Sequence, residues 1–205
     1  MNDGYLTIGS QIETEIIINK SRFLAKAYPI KDWEHATAIL KDLRKEYWDA
    51  THICYGCIAD TQANNMRFSD DGEPQGTAGK PILDVIKQKD LRLVLVAVIR
   101  YFGGIKLGAG GLVRAYSKAA SEVLKNAQVI TVKPKTWVSF SVSYSDLNKI
   151  DYMLQNKNIE LVSKEWGENV KIKLYANNCY LREFLDNLKT ALNLNESEIF
   201  LKEGV

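Results

Sequence analysis

The chain holds only three cysteines, two histidines and four prolines in 205 residues, and these shortages exclude a good deal. Three thiols do not make a disulfide framework in a chain of this length. The longest apolar run, VLVAVI at 94–99, falls far short of the roughly 20 residues a membrane-spanning helix needs. No charged-then-apolar leader pattern opens the sequence, so a cytosolic protein with no membrane partner is expected. His35 and His52 are the only histidines, and neither sits in a nucleophile-elbow or zinc-ligand context. Charge of one sign is lacking too: 27 Lys+Arg face 25 Asp+Glu, a net of +2.

What is present is core-forming material. The chain is 46% hydrophobic, enough for one large domain or two small ones without staples. Cys54 and Cys57 form CYGC, but the surrounding HICYGCIA (52–59) reads as a strand, where side chains three apart point to opposite faces. Buried strand thiols are therefore expected, not a redox pair or a zinc site, with Cys179 the remaining thiol. His52, two residues before Cys54, shares its strand face, the one arrangement here that admits a Cys–His pair.

Periodicity supplies the elements. QIETEIIIN (11–19) and RFLAKAYPI (22–30) read as strands joined by a turn at Lys20–Ser21. Asp32 caps a helix whose inner face is Trp33, Ala36, Leu40, Leu43 and Tyr47. Pro81 opens a short helix PILDVIKQ, and LRLVLVAVI (91–99) is a central buried strand. A helix follows from about 112 to 127, with Val113, Tyr116, Ala120, Val123, Leu124 and Ala127 inward. VKPK (132–135) reads as a linker. Beyond it come a strand at 137–144, a helix capped by Ser145, a hairpin of 159–166 with 169–176, a helix capped by Asn178, and a strand at 198–202. This βαββαβ order is the ferredoxin-like signature. The expected fold class is α+β, with domains at 1–133 and 134–205.

Two loops are dense in special residues. FSDDGEPQGTAGKP (68–81) ends like a phosphate-binding P-loop, but Pro74 stands where that motif needs glycine, and Pro81 follows Lys80 where a hydroxyl belongs. Asp70, Asp71 and Glu73 have the charge for a hard cation but not calcium-loop spacing. A tight turn at Asp71–Gly72, stiffened by Pro74, is the simpler account. Gly76 and Gly79 complete the loop. YFGGIKLGAGGLVRAY (101–116) runs from a buried strand through glycines into a helix. It fails the dinucleotide pattern, because Val113 stands where the last glycine belongs. It has the parts of an anion site at a helix start, and equally those of close helix–sheet packing. Basic residues gather around it: Lys80, Lys87, Lys89, Arg92, Arg100, Lys106, Arg114 and Lys118 within 76–118, opposed there only by Asp84 and Asp90.

The stretches FSDDGEPQGTAGKPI and VIRYFGGIKLGAGGLVRAYSKAA, with KSRF (20–23) and HICYGCIA before them, resemble the hallmark segments of the IMPACT / YigZ family, over the whole chain. The resemblance implies a first domain similar to the second domain of a ribosomal small-subunit protein of the S-five type. It implies a second domain similar to the ferredoxin-like C-terminal domain of the elongation factor EF-G. It brings no catalytic residues and no cofactor, and the kinase-regulating activity of eukaryotic IMPACT proteins, tied to an RWD domain, is not carried over. The shared superfold houses small-molecule kinases, but GAGGLVRAY lacks their paired serines.

The expected function is a non-enzymatic, translation-associated regulator binding RNA or the ribosome. Its phosphate contacts are Lys80, Arg100, Lys106, Gly108, Gly110, Gly111, Arg114 and Lys118, with Tyr101 and Phe102 beside them to stack on bases. No metal and no cofactor are expected. The alternative is an enzyme or sensor for a phosphorylated small molecule or nucleotide held between the two loops, and a protein partner is a third reading.

Overall fold

The structure, a computed structural model, describes residues 4–133, 135–155, 159–192 and 199–204, with 177–179 and 202–204 as backbone only. The chain divides into two compact units, Tyr5–Thr131 and the residues from Val132 onward together with those before Tyr5. Pro134 of the expected linker and the side chains of Asn178 and Cys179 lie outside the described residues.

The first unit runs β1 (Tyr5–Ile8), β2 (Ile12–Ile18), β3 (Ser21–Pro29), α1 (Trp33–Glu46), β4 (His52–Ile58), β5 (Met66–Ser69), α2 (Gly79–Gln88), β6 (Val94–Tyr101), α3 (Gly108–Asn126) and β7 (Val129–Val132). Five strands form an antiparallel sheet in the order β2-β3-β6-β4-β5, and β1 pairs with β7. The β2–β3 connection places Asn19 and Lys20 at positive φ, as a two-residue hairpin turn demands. Asp32 caps α1 by accepting from the His35 N–H at 2.7 Å.

Helices cover both sheet faces. Ala36, Leu40 and Leu43 of α1 pack with Cys57, Leu95 and Ala97 on one side. On the other, α2 and α3 bring Ile82, Ile86, Tyr116, Ala120 and Val123 against Phe23, Cys54, Val96 and Val98. Cys54 and Cys57 thus lie on opposite faces, as strand alternation requires. Covered on both faces, β6 is buried along seven of its eight residues. The α3 stripe is Leu112, Ala115, Tyr116, Ala119, Ala120, Val123 and Leu124. Val113, expected inward, is 37% exposed, because α3 begins at Gly108 and buries Leu112 instead.

The second unit runs β8 (Lys135–Val142), a 3-10 turn (Tyr144–Asp146), α4 (Leu147–Met153), β9 (Ile159–Glu165), β10 (Val170–Asn177), α5 (Asn178–Leu192) and β11 (Phe200–Gly204). Its antiparallel sheet has the order β11-β8-β10-β9, a split-βαβ arrangement. Val138, Phe140, Ile172 and Leu174 meet Ile150, Leu181, Phe184 and Leu188 in its core. Ser145 does not cap α4: its hydroxyl lies 2.7 Å from that of Ser143, and the 3-10 turn intervenes. Among the described residues, no helix is long and apolar enough to cross a membrane.

Candidate functional site

The acidic loop folds inward. Asp70 O accepts from the Glu73 N–H at 2.9 Å, with Asp71 (φ 43°) and Gly72 (φ 87°) at the turn's centre. Two positive φ values in succession are the mark of a type I′ turn. The Asp70 carboxylate then reaches across the loop to the start of α2. Its Oδ1 accepts from Ala78 (3.0 Å) and Gly79 (2.8 Å) N–H groups, and Oδ2 from that of Gly76 (2.8 Å). Burial works against ionising this carboxylate, but the N–H donors of Gly76, Gly79 and Ala78 outweigh it and hold its pKa below the ordinary value. Asp71 accepts from the Ile53 N–H at 2.7 Å and from Arg44 at 3.0 Å, pinning the turn to β4 and α1. Pro74 O accepts from Thr77, through both its N–H and its hydroxyl. Lys80 stands exposed in the first turn of α2.

Glu73 carries the loop into the interior. It is 9% exposed, and its Oε1 accepts from Arg100 Nη1 at 2.5 Å and from the Tyr116 hydroxyl at 2.7 Å. The Cys54 thiol lies 3.4 Å from that hydroxyl and 3.0 Å from Asp70 O. Burial holds both the Tyr116 phenol and the Cys54 thiol protonated, the thiol pushed up to about 12. His52 and Cys54 do share a strand face, but no nucleophile pair results. His52 Nδ1 is 2.7 Å from Asp71 O, so that nitrogen carries the proton, and its Nε2 stands 3.9 Å from Glu73 Oε2.

Arg100 is the knot of this arrangement. Expected at the surface among the phosphate contacts, it is 5% exposed and paired with Glu73, because its strand runs through the centre of the sheet. Its guanidinium lies between the Phe23 and Phe102 rings, 5.4 and 5.6 Å from their centroids. Nη2 reaches the Ser21 hydroxyl at 3.5 Å, and that hydroxyl also accepts from the Gly103 N–H at 3.1 Å. Gly103 is required by contact: a Cβ there would stand 2.0 Å from the Lys20 carbonyl carbon. One arginine therefore ties KSRF, the acidic loop and FGG together. Nothing in the sequence pairs positions 27 and 79 residues apart, so this network was missed there.

The glycine loop turns outward instead. Helix α3 starts at Gly108 with φ 68°, without a side-chain cap at Leu107 and with no acid in its first turn. Gly104 and Gly108 face open space, and Gly110 has only the tip of Arg114 nearby, at 3.6 Å from where a Cβ would stand. Lys106, Gly108, Gly110, Arg114 and Lys118 are exposed, and Gly111 is half-buried against Leu107. Phe102 is 47% exposed beside them, whereas Tyr101 is half-buried, its hydroxyl donating to Asp49 at 3.0 Å. The arrangement offers uncapped N–H groups and cations to an anion.

Both loops fall within a part of the chain that a known family matches. The Impact N-terminal domain matches residues 19–124, which contain both. The chain is 36% identical to IMPACT family member YvyE of Bacillus subtilis over 204 residues, spanning 100% of this chain and 93% of that one. It is 31% identical to IMPACT family member YigZ of Escherichia coli over 169 residues, covering 82% of this chain and 83% of its relative. The crystal structure of a hypothetical protein, 28% identical, superposes with a TM-score of 0.67 over 98% of this chain and 97% of that one. A chain that carries these segments, matches the domain across its first unit and aligns with such relatives along most of its length belongs to the IMPACT family.

Proposed function

We propose that this protein is a translation-associated regulator that binds RNA or the ribosome without catalysing a reaction, and that the start of α3 is its phosphate-facing surface. The observation that supports this most is the uncapped, exposed beginning of a 19-residue helix with Lys106, Arg114 and Lys118 around it and no acid in the first turn. A helix start of this kind carries roughly half a positive charge, and the lysines and arginine add to it. Glycines at 108 and 110 leave no side chain in the way of an approaching phosphate. The family resemblance implies a first unit like the ribosomal S-five-type domain and a second like the ferredoxin-like end of EF-G, and that expectation fits the same reading. Family membership supports, at the coarsest level, a translation-associated regulatory role.

Fluorescence anisotropy with a labelled RNA tests the reading. Affinity is expected to fall as salt rises, and to fall further in Lys106→Ala/Arg114→Ala, with a shallower salt slope. Binding that ignores salt, or survives that double substitution unchanged, overturns it.

A phosphorylated small molecule is the second reading, favoured by one observation: the Glu73–Tyr116 hydrogen bond brings the acidic loop against the same helix. The carboxylates of Asp70, Asp71 and Glu73 are all engaged by the protein itself, so they serve the fold in this state. A thermal-shift screen with nucleotides and sugar phosphates separates the two, since stabilisation by either favours the small-molecule site.

A further inference from the structure

We propose that the sheet face of the second unit opposite α4 and α5 is a stacking platform for single-stranded RNA, centred on Trp137 and Tyr175. The proposal rests on the RNA reading above and gives it a second contact surface.

Strand alternation builds this face. Val138, Phe140, Ile172 and Leu174 point to the helices and are fully or almost fully buried, so Trp137, Ser139 and Ser141 of β8 and Lys171, Lys173 and Tyr175 of β10 point the other way. The two strands are the central pair of the sheet. Tyr175 stands directly across from Trp137 in the register, and the rings meet edge to face with centroids 4.0 Å apart. Both rings are half-buried and lie outside the core cluster, on the face away from the helices.

The surroundings are polar and charged, with Lys135, Lys171 and Lys173 set among Glu160 and Glu165. Lys173 pairs in register with Ser139, and Lys171 with Ser141. Lys135 holds its ammonium 5.6 Å from the Tyr175 ring centroid. Lys135 and Lys173 make ion pairs with Glu160 (2.5 Å) and Glu165 (2.7 Å), but all four side chains are at least 36% exposed. Such pairs are worth little in water, and a phosphate can replace either carboxylate. Phe200, 68% exposed, lies across from Ser139 on β11, and the Ser139 hydroxyl is buried without a hydrogen-bond partner.

Aromatic rings on the two central strands of a four-stranded sheet, with lysines one step away, are what splayed bases and their phosphates require. An apolar protein partner would meet lysine and serine beside the rings. A duplex hides the faces of its bases, so a single strand is the occupant.

The test uses the full chain and a labelled single-stranded RNA of about 10 nucleotides, within the usual footprint of a stacking surface. Trp137→Leu and Tyr175→Leu keep apolar bulk but remove the stacking rings, and each is expected to weaken binding roughly tenfold. Phe200→Ala/Lys171→Glu, both at exposed positions, gives a second variant should the ring substitutions unfold the chain; it is expected to weaken binding by a factor of about 5 or more. A chain with Trp33, Trp48 and Trp166 replaced by Phe leaves Trp137 as the reporter, and its emission is expected to be quenched on saturation. Unchanged affinity in the folded variants, or unchanged Trp137 emission at saturation, overturns the platform. If the Lys106→Ala/Arg114→Ala chain loses binding while the ring variants keep it, the α3 reading stands and the platform falls. The reverse pattern removes the α3 surface and keeps the platform. No RNA binding by the unaltered chain removes both.

Discussion

The two loops that mark this family are both rich in glycine and opposite in use. Residues 68–81 turn their special groups inward: Asp70 caps α2, Asp71 pins β4 and α1, and Glu73 pairs with Arg100. Residues 103–111 turn theirs outward, leaving the start of α3 uncapped and its glycines in the open, apart from Gly103 and Gly111. A dense cluster of acids and glycines is therefore not a functional signature by itself. What separates the two is whether the protein itself satisfies the polar groups or leaves them exposed.

The comparison breaks most sharply at Glu73. Glu73→Ala strands the Arg100 guanidinium in the core, and about 3–5 kcal/mol of stability should be lost in urea unfolding of the full chain. Glu73→Leu/Arg100→Met should recover much of that loss, because the charge leaves with its partner. The outward loop should behave otherwise: Lys106→Glu/Arg114→Glu should change stability by no more than about 0.5 kcal/mol.

The next effect concerns Gly103, the glycine of the second loop packed against backbone. Gly103→Ala drives a methyl into the Lys20 backbone and should cost about 1–3 kcal/mol by the same measurement. Equal stability would mean that the FGG segment is not held against the β2–β3 turn.

Asp70 gives a smaller effect with a pH signature. Asp70→Ala should cost about 1–2 kcal/mol through loss of the α2 cap. Because its folded pKa is depressed, its contribution is present in full above the ordinary carboxylate value and is lost as pH falls through the folded value. Thermal unfolding followed from about pH 6 down to 2 should therefore show a steeper acid loss in the unaltered chain than in Asp70→Asn.

The smallest effect sharpens the contrast. Gly110→Ala meets only the flexible end of Arg114 and adds a better helix former, so a gain of a few tenths of a kcal/mol, up to about 0.5, is expected. A marked loss of stability would show that α3 begins under a constraint the outward loop should not have.

Periodicity made most elements legible. The α1 stripe, the buried β6 and the opposed Cys54 and Cys57 follow from spacings of 3.6 and 2, and they stand close to where those spacings put them. β5 was not legible, because its residues Met66, Arg67 and Phe68 are all exposed on an edge and show no alternation. The β1–β7 pair was hidden for a related reason: three of the four β7 residues are exposed. The start of α3 was read late, since its first four residues include three glycines, which lower any helix expectation.

The sequence by itself determined most of the elements, the tight turn at Asp71–Gly72 and the family, because each is carried by neighbouring residues. Only the tertiary structure decided which charges are free. Arg100 and Lys106 lie six positions apart in the same basic stretch, yet one is buried against Glu73 and the other meets solvent. The difference arises because β6 ends at the centre of the sheet, where a carboxylate from a distant loop and rings from β3 and Phe102 enclose its arginine. Burial and pairing are properties of what the fold brings alongside a residue, and no local spacing encodes them.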